Sequence, residues 1–103
     1  MATVYRIKAE KLREFTARLC EALGTPSDIA DVEAEILVNA DLRGHTSHGV
    51  YQFPNYIKGV EGKSLIPDAV PEIVNDSPSA ALVDARNGWG HYSARWAMQL
   101  AMD

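Results

Sequence analysis

The stretch from Ile7 to Gly44 constrains the fold more than any other part of the chain. Leu12, Phe15, Leu19 and Leu23 fall at intervals of three and four, which puts them on one stripe of an α-helix. Gly24 follows, a residue type that ends helices because it turns left-handed without strain. In the next four residues, Thr25 can cap, Pro26 suits the first helical position, and Asp28 stands where a capping box keeps its acceptor. A second helix then runs to about Leu42, with Ile29, Val32, Ile36 and Ala40 on its buried face and Gly44 as its stop. Two apolar-faced helices joined by so short a break are expected to form an antiparallel hairpin.

The helical spacing resumes with Val50, Phe53, Ile57 and Val60, which predicts a third helix from near Ser47 to Gly62. Pro54 leaves two versions open: the regular helix starts near Phe53, or Pro54 bends it. Beyond Gly62 the texture changes. "EIVND" and "AALVDA" are short apolar runs separated by "SPS" and read as two strands, a hairpin. "RNGWG" reads as a turn, with Trp89 and Trp96 packing into the core, and "HYSARWAMQLAMD" as a helix with Ala94, Ala97, Met98 and Ala101 on one side. The expected fold class is α+β: a mainly helical region of three helices, a short β-hairpin and a last helix. It divides into a helical segment, 1–62, and a strand pair with a helix, 63–103. That helix reaches Asp103 without Gly or Pro. Either it frays there or the chain is a piece of something longer.

Composition narrows the function classes. A chain of 103 residues is the size of one domain. Its net charge is −4 and its Lys and Arg are interleaved with acids, so no basic stripe invites nucleic acid. Cys20 is the only cysteine, which excludes an intrachain disulfide, and its place among apolar positions predicts a buried, inert thiol. No apolar run approaches the roughly 18 residues of a membrane span. The first twelve residues lack the apolar stretch of a signal peptide. A cytoplasmic protein is expected, with neither a nucleic-acid nor a membrane partner.

The polar junction "LRGHTSHGV", Leu42 to Val50, interrupts the apolar periodicity. His48 can accept and donate protons near neutral pH. At the start of a helix, the dipole would keep its imidazole neutral and ready as a base. Ser47 beside it can orient the ring or touch a substrate, although helical neighbours point about 100 degrees apart and need not bond. The plainer reading has Thr46 or Ser47 as a cap and His48 as a surface residue. His45 and Thr46 enlarge the polar cluster, but "HTSH" lacks zinc geometry and a third ligand, so no metal site is expected. Arg43 can clamp a carboxylate with two parallel hydrogen bonds, or answer the helix dipole. "NGWGHYS" offers G-x-G between a strand and a helix, yet Ser93 stands where a dinucleotide fingerprint has its third glycine. A plain turn fits better.

"DLRGHTSHGVYQFPNYIKGVEG" closely resembles the N-terminal signature of the malate/L-lactate dehydrogenase family, nicotinamide-dependent oxidoreductases with a non-Rossmann fold. Asp41, Arg43, Gly44, His45, Ser47, His48, Gly49, Val50, Tyr56 and Gly59 match its pattern. "ALVDARNGWGHYSARWAM" resembles the family's second landmark. The resemblance implies that His48 is the proton donor and acceptor at the substrate oxygen and that Ser47 assists it. It also implies substrate contacts from Arg43, His45 and Gln52, and NAD or NADP as cofactor, held by residues mostly outside this chain. The substrate would be a 2-hydroxy acid or its 2-oxo acid, of malate, lactate, sulfolactate or ureidoglycolate type, and the assembly a homodimer.

The chain departs from the family in two ways. Gln52 stands where many members carry an arginine, so it brings no charge to a substrate carboxylate. The family's second histidine motif and most of its cofactor domain would fall beyond Asp103, so 103 residues alone are expected to be inactive. The competing expectations are a non-catalytic helical interaction or dimerisation module on the same scaffold, and a small nucleotide-binding domain built on "GWGHYS".

Overall fold

The structure, a computed structural model, describes residues 5–103. Residues 1–4, part of the first twelve residues read above for a signal peptide, lie outside the described part. Helices α1 (Ala9–Ala22) and α2 (Ser27–Leu42) form the expected hairpin. Helix α3 (Phe53–Glu61) follows two short 3₁₀ turns, Thr46–His48 and Val50–Gln52. Strands β1 (Glu72–Ser77) and β2 (Ala80–Asp84) pair antiparallel, with Glu72 opposite Asp84 and an irregularity between Ile73 and Asn75. Helix α4 (Gly90–Met102) packs back onto α2. Among the described residues the fold is mostly helical with one two-stranded sheet, as expected.

Both glycine stops are the expected local events. At the end of α1, the Gly24 amide donates to Glu21 O at 2.9 Å and the Thr25 amide to Cys20 O at 3.1 Å. At the end of α2, the Gly44 amide donates to Asp41 O at 3.1 Å and the His45 amide to Ala40 O at 2.9 Å. This paired pattern satisfies carbonyls that a helix end leaves open. It requires a left-handed residue, and Gly44 supplies it at φ +82.

The core joins Ala17 and Cys20 of α1 to Ile29, Ala30, Ala34 and Leu37 of α2, with Phe53 and Trp89 closing it. Phe53, Tyr56 and Trp89 form an aromatic triangle with centroids 5.2–6.4 Å apart. Such edge and tilted contacts suit the ring quadrupoles. The Trp89 indole N–H donates to Thr25 Oγ1 at 2.8 Å.

Several expectations are corrected. Thr25 does not cap α2: its hydroxyl is taken by Trp89, and no side chain caps the helix. The capping box with Asp28 is therefore not made. Phe15 is 60% exposed, and Thr16, Ala17 and Cys20 are buried instead. On α2 the buried set is Ile29, Ala30, Glu33, Ala34, Leu37 and Val38, with Val32, Ile36 and Ala40 only half-buried. Helix α2 is pressed from two sides, by α1 and by α4, so its buried face is broader than one stripe and is rotated from it. On α4, Ser93 is buried while Ala94, Met98 and Ala101 face outward, and Trp96 is half-buried. Pro54 resolves in favour of the later start. It lies in the first turn of α3, where its missing N–H costs nothing.

Candidate active site

The end of α2 delivers the polar residues. Its terminal turn, locked by Gly44, places Arg43 and His45 on either side of the chain reversal. The chain then forms the Thr46–His48 turn, held by the His48 amide donating to His45 O at 2.9 Å. Asp41, a turn back along α2, reaches over this segment, and its Oδ2 accepts the Val50 amide at 3.1 Å. Gly49 permits that reach, because a Cβ there would run into the Asp41 carboxylate. The Asp41 and Gly49 matches in the signature thus form one device: a carboxylate fastening the next turn through a gap only glycine leaves.

Ser47 and His48 are exposed, and Ser47 Oγ lies 2.9 Å from His48 Nδ1. The helical geometry expected here, in which neighbours diverge, does not apply, because the residues sit in a 3₁₀ turn ahead of α3. The helix-dipole argument loses its basis for the same reason: His48 lies five residues before the first residue of α3. The serine hydroxyl now does the orienting. It can donate to Nδ1 or accept from it, so it accompanies either tautomer.

Arg43, His45 and His48 line one open groove of about 570 Å³, floored by Ile36, Asn39 and Ala40. Ile36 and Ala40, expected in the core, form its apolar base. Asn39 was not singled out in the sequence. Its signal is the four-residue spacing to Arg43, which puts both on one face of α2. Ser47 supports His48 from outside the groove lining. Gln52, expected beside the substrate, has both ends of its amide engaged by the chain. Its Nε2 donates to Ser47 O at 2.6 Å, and its Oε1 accepts from Asn55 Nδ2 at 2.9 Å. A second groove of about 520 Å³, between α1 and α2, is lined by Arg13, Glu14, Asp31 and Glu35. It holds no histidine, the side chain best suited to moving protons at neutral pH.

The segment "GWGHYS" does not fit a dinucleotide. The first-turn amide of α4 at Tyr92 already donates to Glu33 Oε1 at 2.7 Å, so a buried carboxylate occupies the anion position a pyrophosphate would need. Gly88 is packed against Ala69, whose Cβ would sit 3.1 Å from a Cβ added there. Its smallness serves that packing and cradles no phosphate. Among the described residues no three of His, Cys, Asp and Glu gather to hold a metal, and no helix is long and apolar enough to cross a membrane.

Comparison with known proteins gives the family and the fold. The chain is 33% identical to L-sulfolactate dehydrogenase of Methanocaldococcus jannaschii over 93% of its length. It is 36% identical to malate dehydrogenase of Pyrococcus abyssi over 95%. The solved sulfolactate dehydrogenase of M. jannaschii superposes with a TM-score of 0.89, covering 93% of this chain and 28% of that one. The chain spans only 28% and 27% of the length of the two curated relatives. The family model described as malate/L-lactate dehydrogenase matches residues 7–103. The chain belongs to the malate/L-lactate dehydrogenase family.

Proposed function

We propose that this chain is the proton-transferring, N-terminal part of an NAD(P)-dependent oxidoreductase that interconverts a 2-hydroxy acid and its 2-oxo acid. The substrate is of malate, lactate, sulfolactate or ureidoglycolate type. The observation that carries the reading is the Ser47–His48 pair: Nδ1 is engaged at 2.9 Å, and the ring borders a groove shared with Arg43 and His45. In the oxidation direction, Nδ1–H donates to Ser47 Oγ and leaves Nε2 bare. Nε2 then takes the hydroxyl proton, and the hydride from the substrate carbon would pass to the nicotinamide when that cofactor is bound. In reduction the imidazolium returns a proton to the carbonyl oxygen. Arg43 clamps the substrate carboxylate and His45 donates to it, while Gln52 stands beside the dyad.

NAD or NADP is the redox partner, and the residues that hold it belong to a longer polypeptide. The 103-residue chain is therefore inactive alone. The whole enzyme is a cytoplasmic homodimer. In a polypeptide extended to the relatives' length, His48→Ala lowers kcat/KM by roughly 10²–10⁴, the usual worth of a positioned acid-base group. Unchanged turnover in that variant refutes the reading.

A second reading, a non-catalytic interaction module, is favoured by one observation. The β-hairpin leaves Val74 and Leu82 57% and 61% exposed, and a two-stranded hairpin alone is marginal in water. Under that reading the extended polypeptide turns over no 2-oxo acid with either nicotinamide.

A further inference from the structure

We propose that Gln52 is a positioning residue for the Ser47–His48 dyad, acting through the Ser47 carbonyl and itself set by Asn55. The inference rests on the reading of His48 as the acid-base group and adds what holds that group in place. The dyad sits on an exposed 3₁₀ turn of three residues with no side-chain cap. Such turns have poor hydrogen-bond geometry and little intrinsic persistence. The turn's own bonds are the His48 amide to His45 O at 2.9 Å and a longer one from the Gly49 amide to Thr46 O at 3.3 Å. Neither restrains the Ser47 carbonyl.

Two side-chain clamps compensate, one on each side. On the α2 side, the Asp41 carboxylate fixes the Val50 amide. On the α3 side, Gln52 Nε2 donates to Ser47 O at 2.6 Å, the shortest of the side-chain bonds around the dyad. Fixing the Ser47 peptide fixes the direction of its Cα–Cβ bond, and hence where Oγ meets His48 Nδ1. An amide side chain can present its donor or its acceptor to a carbonyl, and only the donor is productive. Asn55 supports that choice: its Nδ2 donates to Gln52 Oε1 at 2.9 Å, which leaves the Gln52 NH₂ to Ser47. Asn55 lies in the first turn of α3, so this short relay ties the dyad to a regular helix. A charged side chain free to reach a ligand would not serve this role. A neutral amide committed at both ends does.

The test reads the imidazole directly and needs no turnover. Ring 15N shifts of His45 and His48 are recorded in the 103-residue chain, together with thermal unfolding, for wild type, Gln52→Met and Gln52→Glu. Met keeps the length and removes the donor, and Glu presents an oxygen to the Ser47 carbonyl. In both variants the His48 shifts should move toward those of His45, whose ring has no hydrogen-bond partner among the described residues. His48 amide exchange should quicken about fivefold, the factor equivalent to one ordinary hydrogen bond. Glu should act more strongly than Met, and the melting midpoint should hold. Unchanged His48 shifts in both variants overturn the proposal. So does a fall in melting temperature with the shifts intact, which would make Gln52 a support of the fold. Weakened binding of oxamate with the shifts intact would overturn it too, and make Gln52 a substrate contact. Each of these results leaves the His48→Ala test of catalysis untouched, and that test in turn leaves Gln52 untouched.

Discussion

Replacing Glu33 should loosen α4 from the helical hairpin in a way that depends on pH. Glu33 lies in the middle of α2 with its side chain 0% exposed, and it spends both carboxylate oxygens on α4. Oε1 accepts the Tyr92 amide at 2.7 Å, and Oε2 meets His91 Nδ1 at 2.9 Å. A carboxylate at that place satisfies an amide that the start of a helix leaves open and answers the positive end of the dipole. Glu33→Leu orphans the Tyr92 N–H, at about 1–3 kcal/mol. It also removes the His91 contact, worth no more than about 1 kcal/mol because that ring is 40% exposed. The total, about 1–4 kcal/mol, corresponds to a fall in Tm of roughly 5–30 °C for a domain of this size. Glu33→Gln keeps an acceptor for Tyr92 and should cost about 1 kcal/mol.

The pH signature separates the two contacts. Glu33's hydrogen bond raises the His91 pKa above its ordinary 6.5, outweighing the opposing effect of partial burial. A histidine whose folded pKa is raised contributes stability that is fully present below the unfolded value and is lost as pH rises through the folded one. The advantage of wild type over Glu33→Gln should therefore be larger at about pH 5.5 than at about pH 8.5. Urea unfolding followed by tryptophan fluorescence reads this, since Trp89 is buried beside the joint. A Glu33→Leu loss under about 1 kcal/mol, or a wild-type advantage that grows with pH, would refute the reasoning.

Gly49→Ala should force the Asp41 carboxylate off the Val50 amide. The expected cost is about 1–3 kcal/mol, as for other overpacked sites, and Val50 amide exchange should lose its protection; retained protection counts against the device described here. The Cys20 thiol, pushed up to about 12 chiefly by burial, should resist thiol reagents in the native chain and react on unfolding. Rapid labelling without denaturant would contradict its place in the core.

The parts of this protein legible in its sequence are those set by short-range backbone chemistry. The stops at Gly24 and Gly44 depend on a few neighbouring amides and carbonyls, so residue type alone predicts them. The strand pair is legible for a similar reason: its two apolar runs are separated by a turn too short to allow another partner. The dense signature around His48 was readable as a candidate site, and Arg43 and His45 line the groove beside it.

Tertiary structure alone decided which faces are buried and who meets whom. Periodicity announces that α2 has an apolar stripe, but α1 and α4 press on it from two sides and turn Ile36 and Ala40 into the floor of a groove. Glu33 carries no mark in the sequence, and only α4, beginning 57 residues later, places an amide and an imidazole on its two oxygens. Thr25 looked like a cap until Trp89 took its hydroxyl. Such pairings join residues far apart in the chain, so no local pattern encodes them. They exist only once the core has closed and water has left those polar groups no other partner.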